Sequence, residues 1–368
     1  MKWFGRKAGR DESRPALSGG FARSGVPILG EWPRQYEAQA RDAYLDNAVA
    51  QRAVKLVAET LGAAPLSASD PGIAALVAAR SGGQALLPTV AAQMLLHGNA
   101  YVQLLRDAEG GVAALYALRP ERVAVETDGG GWPVAYRYRV GSVATRLDAD
   151  PVRPALVHIR AFHPLDDHYG LGCLGAAAGA VAIHNAATRW GKGLLDNAAR
   201  PSGALVYEPR DGSPLSGDQF ARLRAELDAF IGAPNAGRPM LLEGGLKWQA
   251  LSLSPAELDF SGTKAAAARE IALAFGVPPM LLGLPGDSTH ANYREANRAL
   301  WRSTVLPLAE TILSALAQGL RGWFPEARLA VDLNAVPALA EERERLWASV
   351  SAADFLTGEE KRALLGLS

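Results

Sequence analysis

Cysteine occurs only once in the 368 residues, at Cys173. A lone thiol excludes an intramolecular disulfide framework and a thiolate zinc cluster, and it suits a reducing cytoplasm. Net charge is missing too, since 38 basic residues stand against 38 acidic ones. That balance argues against a wholly basic nucleic-acid binder, although a neutral chain still separates charge between its faces. The longest nearly apolar run, near residues 172–183, is too short to span a bilayer. The opening residues Lys2, Arg6, Lys7 and Arg10 come without the apolar core of a signal peptide, so neither secretion nor membrane contact is expected.

Recognised catalytic patterns are also lacking. There is no Gly-x-x-x-x-Gly-Lys-Ser/Thr loop, so P-loop hydrolysis of ATP is not expected. A Gly-x-Ser-x-Gly elbow and a His-Glu-x-x-His pair are missing as well. For a chain of this length, these absences favour a structural or assembly role with no catalytic residue, cofactor or metal.

What is present is a large apolar fraction, 49% of residues, enough for two or three globular regions with their own cores. Residues 1 to 35 mix Gly, Pro, Ser and basic residues without periodicity and read as a flexible tail. Tyr44, Leu45, Ala48, Val49, Ala53, Leu56, Val57 and Leu61 recur at helical spacing, predicting one helix from Tyr36 to Leu61. A second helix is expected from Leu87 to Leu96, ended by His97-Gly98-Asn99. Tyr101 to Arg106, Val112 to Leu118, Arg122 to Thr127, Val134 to Val140 and Leu156 to Phe162 then read as strands of an antiparallel sheet. Within the fourth of these, Tyr136, Tyr138 and Val140 alternate with Arg137 and Arg139, putting aromatics on one face and charge on the other. The fold class is α+β.

Beyond the strands, an Ala-rich helical stretch runs from about Gly172 to Arg200 and is stopped by Pro201 and Gly203. A β-α-β-β unit is expected next. Its parts are a strand Ala204 to Tyr207, a helix Gly217 to Ile231 capped by Ser216, and a hairpin of Pro239 to Glu243 with Leu246 to Leu251. Ser254-Pro255 opens a further helix running to Phe275, where Gly276-Val277-Pro278-Pro279 stops it. After a polar loop, Gly283 to His290, the last long helix is expected over Ala291 to Leu320, with Leu300, Thr304, Leu308 and Ile312 along one stripe. A weaker helical tail, Leu339 to Leu365, is interrupted around Phe355 to Gly358.

Two groups carry possible chemistry. Gly170-Leu171-Gly172-Cys173-Leu174-Gly175 matches a dinucleotide-binding glycine pattern, the one feature behind an alternative reading as a nicotinamide-dependent oxidoreductase. Against it, His163 to Tyr169 separate the glycines from the preceding strand, and Asp196 and Glu208 stand too late for the ribose acid. Glycines that allow a tight start to a closely packed helix explain the pattern equally well. His158, His163 and His168, beside Asp166 and Asp167, recur every five residues. That spacing shares neither a helix face nor a strand face, so a polar surface loop is expected in preference to a metal site.

Several blocks in order resemble the portal family of long-tailed double-stranded-DNA phages and phage-like gene transfer agents. They begin with His97-Gly98-Asn99-Ala100-Tyr101 and Leu118-Arg119-Pro120-Glu121-Arg122-Val123. Val157-His158-Ile159-Arg160, Tyr169-Gly170-Leu171-Gly172 and Asn197-Ala198-Ala199-Arg200-Pro201-Ser202-Gly203 follow. The most specific portion runs from Leu242-Glu243-Gly244-Gly245-Leu246-Lys247-Trp248 through Leu253-Ser254-Pro255 and Phe260 to Ala274-Phe275-Gly276-Val277-Pro278-Pro279. Asp332-Leu333 and Leu356-Thr357-Gly358-Glu359-Glu360-Lys361-Arg362 are similar to the family's ending. His290 and Ala291 depart from it, since an aromatic and a hydroxyl residue are usual there.

The resemblance implies a ring of about twelve copies at one capsid vertex, in a virion or phage-like particle assembled in the bacterial cytoplasm. The implied portal-type fold has an α/β wing (36–168), a helical stem (169–200 and 254–276), a small β-α-β-β clip (201–253) and a helical crown (321–368). A tunnel loop (277–292) and a long helix (293–320) complete it. Implied partners are other copies of the chain, double-stranded DNA without sequence preference, the terminase large subunit, the major capsid protein and a head-tail adaptor. Asp287, Ser288, Thr289, His290 and Asn292 would meet DNA in the channel. Arg294, Arg298 and Arg302, four apart, form a basic stripe that either faces phosphates or pairs with acids such as Glu295 and Glu310. A capsid or tail-adaptor protein without a channel is the other alternative.

Overall fold

A computed structural model of the chain describes residues 17, 35–196, 203–208, 216–230, 246–250, 259–284 and 290–365. The chain divides into one unit of residues 1–178 with 271–368 and a second of residues 179–270.

In the first unit, α1 (Tyr36–Ala40) runs into a π-helical turn, Arg41–Leu45, and stops. Asn47 then caps α2 (Ala48–Gly62), its Oδ1 accepting the Ala50 amide at 2.9 Å. The single helix expected over 36–61 is therefore broken, because the carboxamide gives a new first turn its own partner. One face of α2 buries Ala50, Ala53, Val54, Val57, Ala58 and Leu61, at i, i+3 and i+4 spacing. Next come β1 (Leu66–Ala68) and α3 (Pro71–Ala78), the latter unanticipated although its start signals are plain. Asp70 Oδ1 accepts the Gly72 amide at 2.6 Å, and Pro71 holds the first helical position. The short β2 (Arg80–Ser81) and β3 (Gln84–Ala85) pair, and α4 (Leu86–His97) then packs on α2.

Strands β4 (Asn99–Arg106), β5 (Val112–Leu118), β6 (Val123–Thr127), β7 (Pro133–Val140), β8 (Val143–Asp148) and β9 (Leu156–Arg160) make two antiparallel sheets, not the one expected. Their orders are β5-β4-β9 and β6-β7-β8. The ladder breaks at Pro120–Arg122, a 3-10 turn whose proline lacks a donor. β8 escapes sequence reading because only Leu147 on it is buried, leaving no apolar alternation. Tyr101, Leu118, Val123, Tyr136, Leu147 and Leu156 form one core cluster drawn from both sheets. Burial of each leucine and valine in it contributes about 1.5–3 kcal/mol. Val140 leaves the pattern, 46% exposed at the end of its hairpin.

Helix α5 (Leu174–Asp196) carries the chain into the second unit. There β10 (Gly203–Tyr207) is followed by α6 (Gly217–Phe230) and pairs antiparallel with β11 (Leu246–Ala250), Leu205 opposite Trp248. The other strand expected there, Pro239 to Glu243, lies outside the described residues. Helix α7 (Phe260–Ala274) follows, and the helix start expected at Ser254-Pro255 lies outside the described residues. Asp259, at φ of 39°, stands just before the helix, and its Oδ1 accepts the Gly262 amide at 3.1 Å. Phe260 stacks on Trp190 of α5, centroids 3.7 Å apart and planes 8° from parallel.

Back in the first unit, α8 (His290–Leu300) leads through a π turn, Trp301–Val305, into α9 (Leu306–Leu320). The uninterrupted helix expected from Ala291 is corrected by Pro307, which offers no amide to the preceding turn. The Leu306 amide donates to the Trp301 carbonyl instead, five residues back. The extra residue rotates the seam. Leu300 and Ile312 of the expected stripe are buried, together with Trp301, Val305, Ala309, Leu313 and Leu316, whereas Thr304 and Leu308 between them are only half-buried. β12 (Leu329–Val331) then pairs with β1, tying distant parts of the chain together. α10 (Ala340–Ser351) and α11 (Gly358–Leu364) follow, the latter with a Thr357/Glu360 capping box.

Candidate functional site

The glycine pattern sits where β4, β9 and the end of α4 meet. Helix α4 stops because Gly98 takes φ of +77°. A Cβ on Gly98 would stand 2.3 Å from the Leu171 carbonyl carbon, one on Gly170 would stand 2.1 Å from the Gly98 oxygen, and one on Gly172 would stand 2.5 Å from the Leu96 oxygen. These glycines let two stretches of backbone touch. The amides of Gly98, Gly170 and Cys173 are spoken for as well. Gly170 N donates to Asn99 Oδ1 at 2.7 Å, and Cys173 N donates to the Leu95 carbonyl at 2.8 Å. A pyrophosphate would need that same space and those same amides.

Asn99, 1% exposed, organises the junction. Its Nδ2 donates to the Gly170 carbonyl at 3.0 Å and meets His97 Nδ1 at 3.1 Å, while its Oδ1 also lies 3.0 Å from His158 Nε2. Because Oδ1 only accepts, the His158 hydrogen is on Nε2. Tyr101 stacks on His158 at 4.3 Å. Burial, then Arg160 and His97, pushes the His158 pKa down to about 3, so the ring is neutral. Burial likewise lowers the pKa of His97 and keeps its Nδ1 an acceptor.

The three spaced histidines do different jobs. His158 is part of this buried junction, His163 Nδ1 accepts the Leu165 amide at 3.0 Å, and His168 Nε2 donates to the Gly131 carbonyl at 2.7 Å. Among the described residues, no three His, Cys, Asp or Glu side chains come together as a metal site.

Of the residues assigned to the channel loop, Asp287, Ser288 and Thr289 lie outside the described residues. His290 opens α8, and Asn292 is exposed on its first turn. Arg294, Arg298 and Arg302 do form one stripe, and it runs along α10. Arg294 meets Glu341 at 2.7 Å, Arg298 meets Glu341 at 2.9 Å and Glu295 at 3.1 Å, and Arg302 meets Glu342 at 3.0 Å. Arg298 is 14% exposed, but Arg294 and Arg302 keep 58% and 62% of their side-chain surface open. Phosphates approaching this stripe would compete with carboxylates already in place. Glu310, expected as a partner, is on the exposed side of α9 and makes none of these pairs. Glu341 and Glu342 were missed because their pairing spans some forty residues of sequence. The adjacent acids on the first turn of α10 were the available signal.

Compared with known proteins, residues 48–366 match the phage portal protein family. A Rickettsia bellii protein of uncharacterised function is 38% identical over 346 residues, covering 89% of this chain and 88% of its own length. The probable portal protein of Streptomyces phage phiC31 is 28% identical, covering 85% of this chain and 73% of its own length. Among solved structures, a chain from the neck of a native gene transfer agent particle, computed with C12 symmetry, is similar at 47% identity. It covers 94% of this chain and 97% of its own length, with a TM-score of 0.71.

Proposed function

This chain belongs to the phage portal protein family, and on that premise we propose that copies of it close into a ring of about twelve around an axial channel for double-stranded DNA. The carrying observation is likeness to the gene transfer agent neck chain along 94% of the sequence. The particle neck is the location this supports, with assembly in the bacterial cytoplasm. The role is mechanical, and we assign no catalytic residue.

The parts of the ring follow the same reading. Residues 36–168 act as the wing, toward the major capsid protein. α5 and α7 form the stem, and residues 201–253 form the clip, meeting the terminase large subunit during packaging and a head-tail adaptor afterwards. Pairing of β10 with β11 across α6 supports an independent clip. Small side chains suit the stem, since Ala and Gly along α5 let neighbouring backbones approach closely. A channel passing any sequence reads no bases and holds no phosphate tightly, because each strong contact adds to the barrier against sliding.

We assign DNA contact to Asp287, Ser288 and Thr289, with His290 and Asn292 on the first turn of α8, as polar side chains that touch passing DNA only weakly. Arg294 and Arg302, partly open beside Glu341 and Glu342, supply exposed positive charge on α8 and its π turn. Deleting Asp287 to His290 tests the assignment. Ring formation and capsid incorporation should survive while DNA packaging or retention falls sharply; filled, stable particles at wild-type levels would remove the loop from the channel.

A further inference from the structure

Three guanidinium groups on α8 and its π turn meet three carboxylates, so a stripe that reads as basic in the sequence carries no net charge in the fold. Glu295 lies 3.1 Å from Arg298, Glu341 bridges Arg294 at 2.7 Å and Arg298 at 2.9 Å, and Glu342 takes Arg302 at 3.0 Å. The three positions differ in what they can do. Arg298 keeps only 14% of its side-chain surface open, with Glu342 3.7 Å away as a further neighbour, so it is an anchor. Arg294 and Arg302 lie one turn to either side of it with more than half of their surface open, and each pairs with a single carboxylate among the described residues. An exposed pair of this kind is worth little in water and is readily exchanged for another anion. The stripe starts one turn after His290, where α8 opens, so it continues the segment assigned to DNA.

We propose that Glu341 and Glu342 set how firmly the chain holds DNA, by acting as built-in competitors for Arg294 and Arg302. This deepens the channel reading above, on which it rests, by naming what regulates the grip. When a phosphate arrives, each outer arginine swings from its carboxylate to the phosphate oxygens, and when the phosphate moves on the carboxylate takes it back. The gain of one charge-assisted contact is offset by the loss of another, so the net hold stays weak at every step along the duplex. Arginines without acids beside them would grip each phosphate at full strength and resist sliding. The guanidinium fork suits both partners, since carboxylate and phosphate each present two oxygens to it. Arg298 keeps α8 against α10 while its neighbours exchange. A purely structural role for Glu341 and Glu342 predicts otherwise: removing them loosens α10 and leaves DNA affinity the same or lower.

Binding of a short random-sequence duplex to assembled rings, over a series of salt concentrations, tests it. In Glu341→Gln/Glu342→Gln rings at low salt the duplex should bind roughly three- to tenfold tighter than in wild type. The salt dependence should steepen as well, by up to about two in the log-log slope. In an Arg294→Gln/Arg302→Gln background the same change should have no effect, which marks the carboxylates as acting through those arginines. Glu344→Gln/Glu359→Gln removes two exposed acids outside the ladder and measures the effect of net charge alone, a tightening of under about twofold. If the paired Gln variant fails to assemble, Glu342→Gln alone, which leaves Glu341 on Arg294 and Arg298, should shift binding in the same direction. Tightening that is absent, that persists without Arg294 and Arg302, or that the Glu344/Glu359 pair matches would overturn the proposal and leave the channel reading in place. Rings that bind no duplex at low salt, wild type and variants alike, would defeat the channel reading with it.

Discussion

The carboxamide of Asn99 holds both sides of Gly170, its Oδ1 accepting the Gly170 amide at 2.7 Å and its Nδ2 donating to the Gly170 carbonyl at 3.0 Å. Removing it leaves a buried donor and a buried acceptor without partners. Asn99→Ala should therefore cost about 2–4 kcal/mol, measured as a fall in urea midpoint without a change in slope. A loss below about 0.5 kcal/mol, the range of ordinary surface changes, would mean that water replaces the side chain there.

Within one glycine pattern, two substitutions should act in opposite directions. Gly172→Ala places a methyl group 2.5 Å from the Leu96 oxygen and should destabilise by about 3 kcal/mol or more. Gly175→Ala meets nothing within 4 Å and lies in α5, so it should be neutral or stabilise by up to about 1 kcal/mol. Thermal melts of the two variants side by side decide it; equal losses would contradict the backbone-contact account.

Acid should weaken the junction before it reaches the folded histidine. His158 has a folded pKa of about 3, below the unfolded value near 6.5. Its contribution is complete above about pH 6.5 and is lost progressively toward pH 3, because the unfolded chain takes up a proton there that the folded chain refuses. The difference in stability between wild type and His158→Gln should shrink across that window. A difference independent of pH would show that the imidazole is not held neutral.

The Arg294, Arg298 and Arg302 ladder should make α10 sensitive to salt. Exposed pairs are worth roughly 0.2–1 kcal/mol each and are screened by ions. In the Glu341→Gln/Glu342→Gln variant, amide exchange over residues 340–351 should rise at low salt and match wild type in high salt. Exchange unchanged at low salt would remove the ladder as what holds α10.

Legibility in the sequence followed the locality of the cause. β5 was readable to the residue, Val112–Leu118, since glycines before it and Pro120 after it fix both ends. The core of the long C-terminal helix was less so. Pro307 changes the hydrogen bonding of the turn before it and rotates the buried face, and an apolar stripe read straight through a proline misses that. Gly170 and Gly172 were recognisable as close-packing glycines, but nothing local said that their partners are the backbone at Leu96 and Gly98. Glu341 and Glu342 were invisible as ladder partners for the same reason, because only the fold brings them to the arginines. Asp287, Ser288 and Thr289 rest on resemblance to the family.

Electron microscopy of the purified chain, viewed down its assembly axis across a concentration series and with capsid protein present, tests the portal reading most directly. The account predicts closed rings with an axial hole and about twelvefold symmetry. A compact dimer with no larger species under any of these conditions would contradict it.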